Sequence, residues 1–210
     1  RISVFADIVE IQECVDSGLI DGVTTNPSLL RKALGDIYSS SLDIYDELVA
    51  MGLKDISMEV AGSRKQMLDD ALILSKAYGD KATIKLPMTK DGLSVCQELS
   101  NRNIRTNVTL IFNAAQALLA AKSGATYVSP FVGRIDDQGY AGLEVVRSIA
   151  SLFQVTGLNT QVLAASIRTP HRAVRSYFNG AQIVTMPPKV FWQMYDHVLT
   201  DAGLAIFDED

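Results

Sequence analysis

Two textures alternate along the chain. Short apolar runs with β-branched residues recur, and most are followed by a longer stretch with helical spacing of apolar positions. The short runs are "ISVFAD" (2–7), "GVTTN" (22–26), "ISMEV" (56–60), "ATIKLP" (82–87), "RTNVTLI" (105–111), "TYVSPFV" (126–132), "QVLAAS" (161–166) and "QIVTM" (182–186). Between them lie segments such as "SRKQMLDDALILSKAYG" and "NAAQALLAAKSG". In the latter, Ala115, Leu118, Leu119 and Lys122 are spaced as one helix face. Gly18, Gly79 and Gly124 follow helical runs as stop signals, and Pro27 after Asn26 suits a helix's first turn. Eight strand–helix units in 210 residues predict a single-domain (β/α)8 TIM barrel spanning 1–210. A doubly wound open sheet is the competing architecture, but the chain has neither GxGxxG nor GxxxxGK[ST]. The tail "HVLTDAGLAIFDED" predicts an extra C-terminal helix over about 199–208.

A barrel makes a definite statement about side-chain direction, because strand residues alternate between the interior and the helix layer. In the fourth run Ile84 and Leu86 then face the helices, and Thr83 and Lys85 face inward. The same parity turns inward Phe5 and Asp7, Thr24 and Asn26, Ser57 and Glu59, Asn107 and Thr109, and Tyr127, Ser129 and Phe131. The seventh run ends at Ser166. Polar residues of seven strands converge on the C-terminal mouth, where this fold places its active sites. Each has a plain structural reading as well. Asp7 suits a helix N-cap, Glu59 a strand-end surface charge, Thr109 and Ser129 small polar strand positions, and Arg134 and Arg168 solvated loop charges. Lys85 has no such reading, since a fully buried lysine is rare unless it is paired or functional.

Composition narrows the classes. Hydrophobic residues make up 48% and charged residues 20%, and the net charge is −5 with both signs spread along the chain. There is no basic surface to expect for nucleic acid, and no apolar run approaches the roughly 18 residues that span a bilayer. The opening "RISVFAD" carries no signal-peptide pattern, so a cytoplasmic protein is expected. Cys14 and Cys96 are far apart and read as reduced, half-buried thiols; "NVT" at Asn107 is a sequon without a secretory context. His171 reads as a polar residue near a helix start and His197 as one near a helix end, and neither has partners at metal-ligand spacing. No metal is inferred.

Burial favours the neutral form of an amine, and a neutral amine attacks a ketone to give an imine that serves as an electron sink. Carbon–carbon cleavage then needs a proton acceptor, for which Asp7 and Glu59 are suited. The stretches "GLIDGVTTNPSLL", "IKLPMTKDGL", "TNVTLIFNAAQALLAAKSGATYVSPFVGRIDD" and "ASIR" resemble the transaldolase family over essentially the whole chain, in the short-chain branch shared with fructose-6-phosphate aldolases. The resemblance implies a (β/α)8 barrel. It places the Schiff-base lysine at Lys85, the proton-transferring aspartate at Asp7, and the water-relay pair at Glu59 and Thr109. The donor-orienting asparagine falls on Asn26, the strand-six serine on Ser129, and the phosphate-holding residues on Arg134, Ser166 and Arg168. Paired guanidinium forks match phosphate oxygens. Glu59 and Phe131 are similar to the transaldolase type, whereas the aldolase type carries Gln and Tyr at these positions. One departure is Ile8, where the family commonly has a hydroxyl residue. The implied reaction moves a dihydroxyacetone unit from a ketose phosphate (sedoheptulose 7-phosphate or fructose 6-phosphate) to an aldose phosphate (glyceraldehyde 3-phosphate or erythrose 4-phosphate); the alternatives are a fructose-6-phosphate aldolase, a lyase, and a non-catalytic sugar-phosphate-binding barrel. Also implied are a place in the pentose phosphate pathway, no cofactor, and a pentameric or decameric homo-oligomer whose C-terminal helix reaches a neighbour.

Overall fold

A computed structural model of the chain describes residues 1–5, 7–26 and 40–209. The expected first helical turn at Pro27 lies outside the described residues. Eight strands are described: β1 (Ile2–Val4), β2 (Gly22–Thr24), β3 (Ile56–Glu59), β4 (Ala82–Pro87), β5 (Thr106–Ile111), β6 (Tyr127–Pro130), β7 (Gln161–Ala164) and β8 (Ile183–Met186). They form a closed barrel in sequence order, and every pairing is parallel. Closure is made by β1 on β8, with Ser3 beside Thr185 and Val4 beside Met186. The predicted (β/α)8 architecture is therefore the observed one.

The helices described are α1 (Ile8–Asp16), α2 (Ser41–Ala50), α3 (Arg64–Tyr78), α4 (Lys90–Asn101), α5 (Ala114–Lys122), α6 (Val132–Asp137), α7 (Gly142–Thr156), α8 (Pro170–Phe178), α9 (Pro188–Gln193) and α10 (Val198–Glu209). Their starts follow local chemistry. Ser63 and Gln66 form a capping box on α3, Asn113 caps α5, and Thr169 caps α8 with Pro170 in its first turn. Gly18, Gly79 and Gly124 all have positive φ, as their reading as helix stops requires.

The main core lies between barrel and helices. Ile84, Leu86, Val108 and Val128 point outward from their strands and are fully buried there. The barrel interior is mixed. Thr83, Asn107 and Ser129 are buried polar residues there, and Tyr127, Leu163 and Ile183 form a small apolar cluster. At the N-terminal end Asp55 accepts from Tyr127 Oη (2.6 Å) and Thr83 Oγ1 (2.8 Å) and pairs with Arg1 (3.3 Å), which plugs that end.

Some local expectations are corrected. In α5 the buried positions are Ala117, Ala120 and Ala121, and Leu119 is exposed. The small face of α5 sits on the barrel, so the face drawn through Ala115, Leu118, Leu119 and Lys122 looks away from it. His197 stands at the start of α10, not near a helix end, and its Nδ1 accepts from Leu199 N–H (3.1 Å). Cys14 and Cys96 are free thiols, fully buried rather than half-buried. Burial, reinforced by Glu10 and Glu13, pushes the Cys14 thiol up to about 11.

Candidate active site

A cavity of about 150 Å3 opens at the C-terminal mouth of the barrel. Such a volume takes a molecule of benzene's size. Lys85, Thr109, Ser129, Asn26, Arg134 and Ser166 supply polar lining, and Phe5 and Phe131 apolar lining.

Lys85 is 8% exposed and lies in register between Glu59 of β3 and Asn107 of β5. Its Nζ donates to Glu59 Oε2 at 2.7 Å and to the Thr25 carbonyl at 2.9 Å. Two of the ammonium's three donors are thus used. A buried cation needs this kind of compensation, and a carboxylate in direct contact also gives its proton a place to go. The Thr25 carbonyl is held from behind. Thr25 N–H and Oγ1 both donate to the Ser57 carbonyl (3.0 and 2.8 Å), and Tyr45 of α2 places its hydroxyl 3.4 Å from Thr25 Oγ1. Tyr45 is itself fully buried, and desolvation pushes its phenol up to about 12.

The remaining polar groups divide into fixed and unfixed. Ser129 Oγ donates to Asn107 Oδ1 (2.6 Å), and Asn107 Nδ2 donates to Ser57 Oγ (3.2 Å), a string across β6, β5 and β3. Thr109 Oγ1 is buried without a hydrogen-bond partner among the described residues. A buried hydroxyl in that state is suited to a water or a substrate group. Its placement depends on a bulge. The register of β5 on β6 shifts between Val108 and Ile111, and Leu110 takes φ +62. Leu110 is turned to the surface, so Thr109 and the fully buried Ile111 both stay in the interior.

Most residues expected at the site are brought together, and two are not. Lys85, Glu59, Thr109, Asn26, Ser129, Phe131, Arg134 and Ser166 meet at this mouth. Asp7 lies outside the cavity lining. Strand β1 ends at Val4, so strand parity does not carry to position 7, and Asp7 is instead the exposed N-cap of α1, its Oδ1 accepting from Glu10 N–H at 3.0 Å. Arg168 also stands outside the lining, with both terminal nitrogens on the Asp137 carboxylate. Arg134 sits with its guanidinium carbon 5.0 Å over the Phe131 ring.

The structure adds Thr25, Thr185, Leu163 and Ala165 to the lining. Thr185 was legible, because the same alternation in "QIVTM" turns it inward, where it pairs with Thr24 at 2.9 Å. Thr25 acts through its carbonyl, and no side-chain pattern signals that.

Comparison with known proteins gives a consistent answer. A family model described as transaldolase/fructose-6-phosphate aldolase matches residues 5–209. A protein of Thermoplasma volcanium named "Probable transaldolase" is 44% identical over 205 residues, covering 98% of this chain and 92% of that one. One of the same name from Rhizobium meliloti is 44% identical over 206 residues, covering 98% and 93%. Among solved structures, a thiamine phosphate pyrophosphorylase from Pyrococcus furiosus superposes with a TM-score of 0.61 at 16% identity, covering 89% of this chain and 85% of that one, which is a likeness of fold alone. From the match across nearly its whole length and from relatives at this identity, the chain belongs to the transaldolase/fructose-6-phosphate aldolase family.

Proposed function

We propose that the protein is a transaldolase that carries a dihydroxyacetone unit on Lys85 from a ketose phosphate to an aldose phosphate. The observation that carries this reading is the ammonium of Lys85, buried in a small cavity and bonded to Glu59 at 2.7 Å. When the ammonium passes a proton to Glu59, its nitrogen gains a lone pair for attack on the donor's ketone carbon. Loss of water gives the imine, and Thr109, whose hydroxyl has no partner among the described residues, is suited to hold that water. The acceptor for the hydroxyl proton released on carbon–carbon cleavage is Asp7 by family resemblance, through the oxygen its cap bond does not use. The electron pair of the broken bond moves to the protonated imine nitrogen, the other half of the donor leaves as an aldose phosphate, and the enamine that remains on Lys85 awaits an acceptor aldehyde.

The cavity suits the three-carbon fragment, and the rest of the sugar phosphate extends past Phe131 toward Arg134 and Ser166. Phe131 offers no hydroxyl to deliver a proton to the enamine carbon, so release as free dihydroxyacetone is disfavoured and transfer is preferred. That choice separates this reading from a fructose-6-phosphate aldolase. The chemistry asks nothing of a metal or an organic cofactor.

The test is incubation with fructose 6-phosphate, with and without erythrose 4-phosphate. Turnover is expected only with the acceptor, and borohydride is expected to trap a three-carbon adduct on Lys85 that is absent in Lys85→Ala. Free dihydroxyacetone formed equally fast without acceptor would make the protein an aldolase. An adduct on Lys81 or Lys90 would remove Lys85 from the chemistry.

A further inference from the structure

We propose that Asp137 is a specificity-determining residue that competes with substrate phosphate for the Arg168 guanidinium. The proposal rests on the proposed function above and on the family resemblance, which implies that Arg134, Ser166 and Arg168 hold phosphate.

Arg168 is engaged on both edges from which a guanidinium grips an oxyanion. Its Nη1 and Nη2 donate to Oδ1 and Oδ2 of Asp137, an end-on fork. Its Nε edge lies against Gly133, so close that a Cβ built there would stand 2.8 Å from Nε and 2.4 Å from the Ser166 carbonyl oxygen. With the fork occupied and the other edge against backbone, Arg168 stays out of a cavity that Arg134 and Ser166 both line. Phosphate that arrives beside Arg134 and Ser166 gains Arg168 only by taking the fork from Asp137.

The neighbouring acid does a different job. Asp136 accepts from Gly142 N–H at 2.9 Å and pairs with Arg172 at 3.2 Å, which ties α6 to α7 and α8. Asp137 is turned to Arg168, and the hydrogen bonds and charge of Arg168, with the charge of Arg134 behind them, hold its carboxyl below the usual range. One carboxylate thus sits in the field of both phosphate arginines. A phosphate dianion carries more charge than that carboxylate and matches the same fork. The exchange is therefore feasible, and its cost lowers phosphate affinity below what two unengaged arginines would give.

The test uses inorganic phosphate and the full-length protein in isothermal titration at fixed ionic strength. Asp137→Asn is expected to bind phosphate about two- to fivefold more tightly, the range of one exposed ion pair. Asp137→Ser, which cannot keep a fork on Arg168, is expected to move the same way. Arg168→Ala is expected to weaken binding, and Asp137→Asn added to Arg168→Ala is expected to change nothing more. Unchanged or weaker binding in both Asp137 variants would overturn the proposal and make Asp137 an orienting partner of Arg168. Equal tightening in the Arg168→Ala background would overturn it as a general charge effect, and so would an Arg168→Ala protein that binds phosphate normally. The titration involves no turnover, so a failure of the Lys85 chemistry would appear in the borohydride experiment and leave this result standing.

Discussion

Asp7 has two carboxylate oxygens and two jobs open to them. Oδ1 caps α1, and the family resemblance gives the residue a proton-transfer role as well. The two roles separate in one pair of substitutions, because Asn caps a helix about as well as Asp does but is no base. Asp7→Asn is expected to keep the denaturation midpoint of the parent and to lower the transfer rate constant by about 10²- to 10⁴-fold, the usual contribution of a placed acid or base. Asp7→Ala is expected to add a stability loss of about 0.5–2 kcal/mol for the missing cap. Full activity in Asp7→Asn would reduce Asp7 to a cap and leave proton transfer to Glu59. At the same scale Lys85 differs from Lys65, the other lysine seen paired among the described residues. Lys65 meets Asp69 on an exposed helix face, whereas the Lys85–Glu59 pair is only 10% and 15% exposed. Exposed pairs contribute little, but a buried ion stripped of its partner is costly.

At the scale of elements, β4 and α4 are joined more tightly than a loop would require. Thr89 caps α4 through Gly92 N–H (3.0 Å), and the turn brings Gly92 onto the end of β4. A Cβ at Gly92 would lie 2.0 Å from the Pro87 carbonyl oxygen, two residues beyond Lys85. Gly92→Ala must therefore push the helix start off the strand that bears the nucleophile. A loss of about 1–3 kcal/mol is expected, as for other overpacked sites, read as a lower midpoint in chemical denaturation. A midpoint equal to the parent's would show that the turn yields without cost. The β5 bulge is the second device at this scale. Leu110 occupies a left-handed backbone conformation that leucine rarely adopts, next to the Thr109 hydroxyl, which has no partner among the described residues.

For the whole molecule, α10 poses the open question. Val198, Leu199, Leu204, Ile206 and Phe207 are 77%, 72%, 55%, 62% and 74% exposed. A helix of 12 residues is marginal in water without a packed face. Exposed apolar side chains in such a run mark an interaction surface. We propose that a second copy of the chain covers it, in line with the ring-forming assembly that the family resemblance implies. Deletion of residues 198–210 is expected to reduce the assembly to smaller units in sedimentation velocity. An unchanged sedimenting mass would place the assembly interface elsewhere or show none to exist. No helix among the described residues is long and apolar enough to cross a membrane.

Strand number, barrel class and the inward direction of Lys85, Glu59, Thr109 and Ser129 were legible in the chain itself. They follow from local rules, a two-residue alternation and regular strand–helix spacing, which need no partner from elsewhere. Where that alternation stopped, the reading stopped. Asp7 lies beyond the last ladder residue of β1, so of its two readings the helix cap is seen and the inward strand position is not. The bulge at Leu110, the Thr25 carbonyl beneath Lys85 and the seating of α5 on alanines depend on how strands and helices meet, and periodicity is blind to all three. Arg168 shows the limit most plainly. Family resemblance suggests phosphate as its partner, but only the fold brings Asp137, from 31 residues away, onto its fork. A charge pattern along a chain states what a residue can bind, and tertiary packing decides which of the available partners reaches it first.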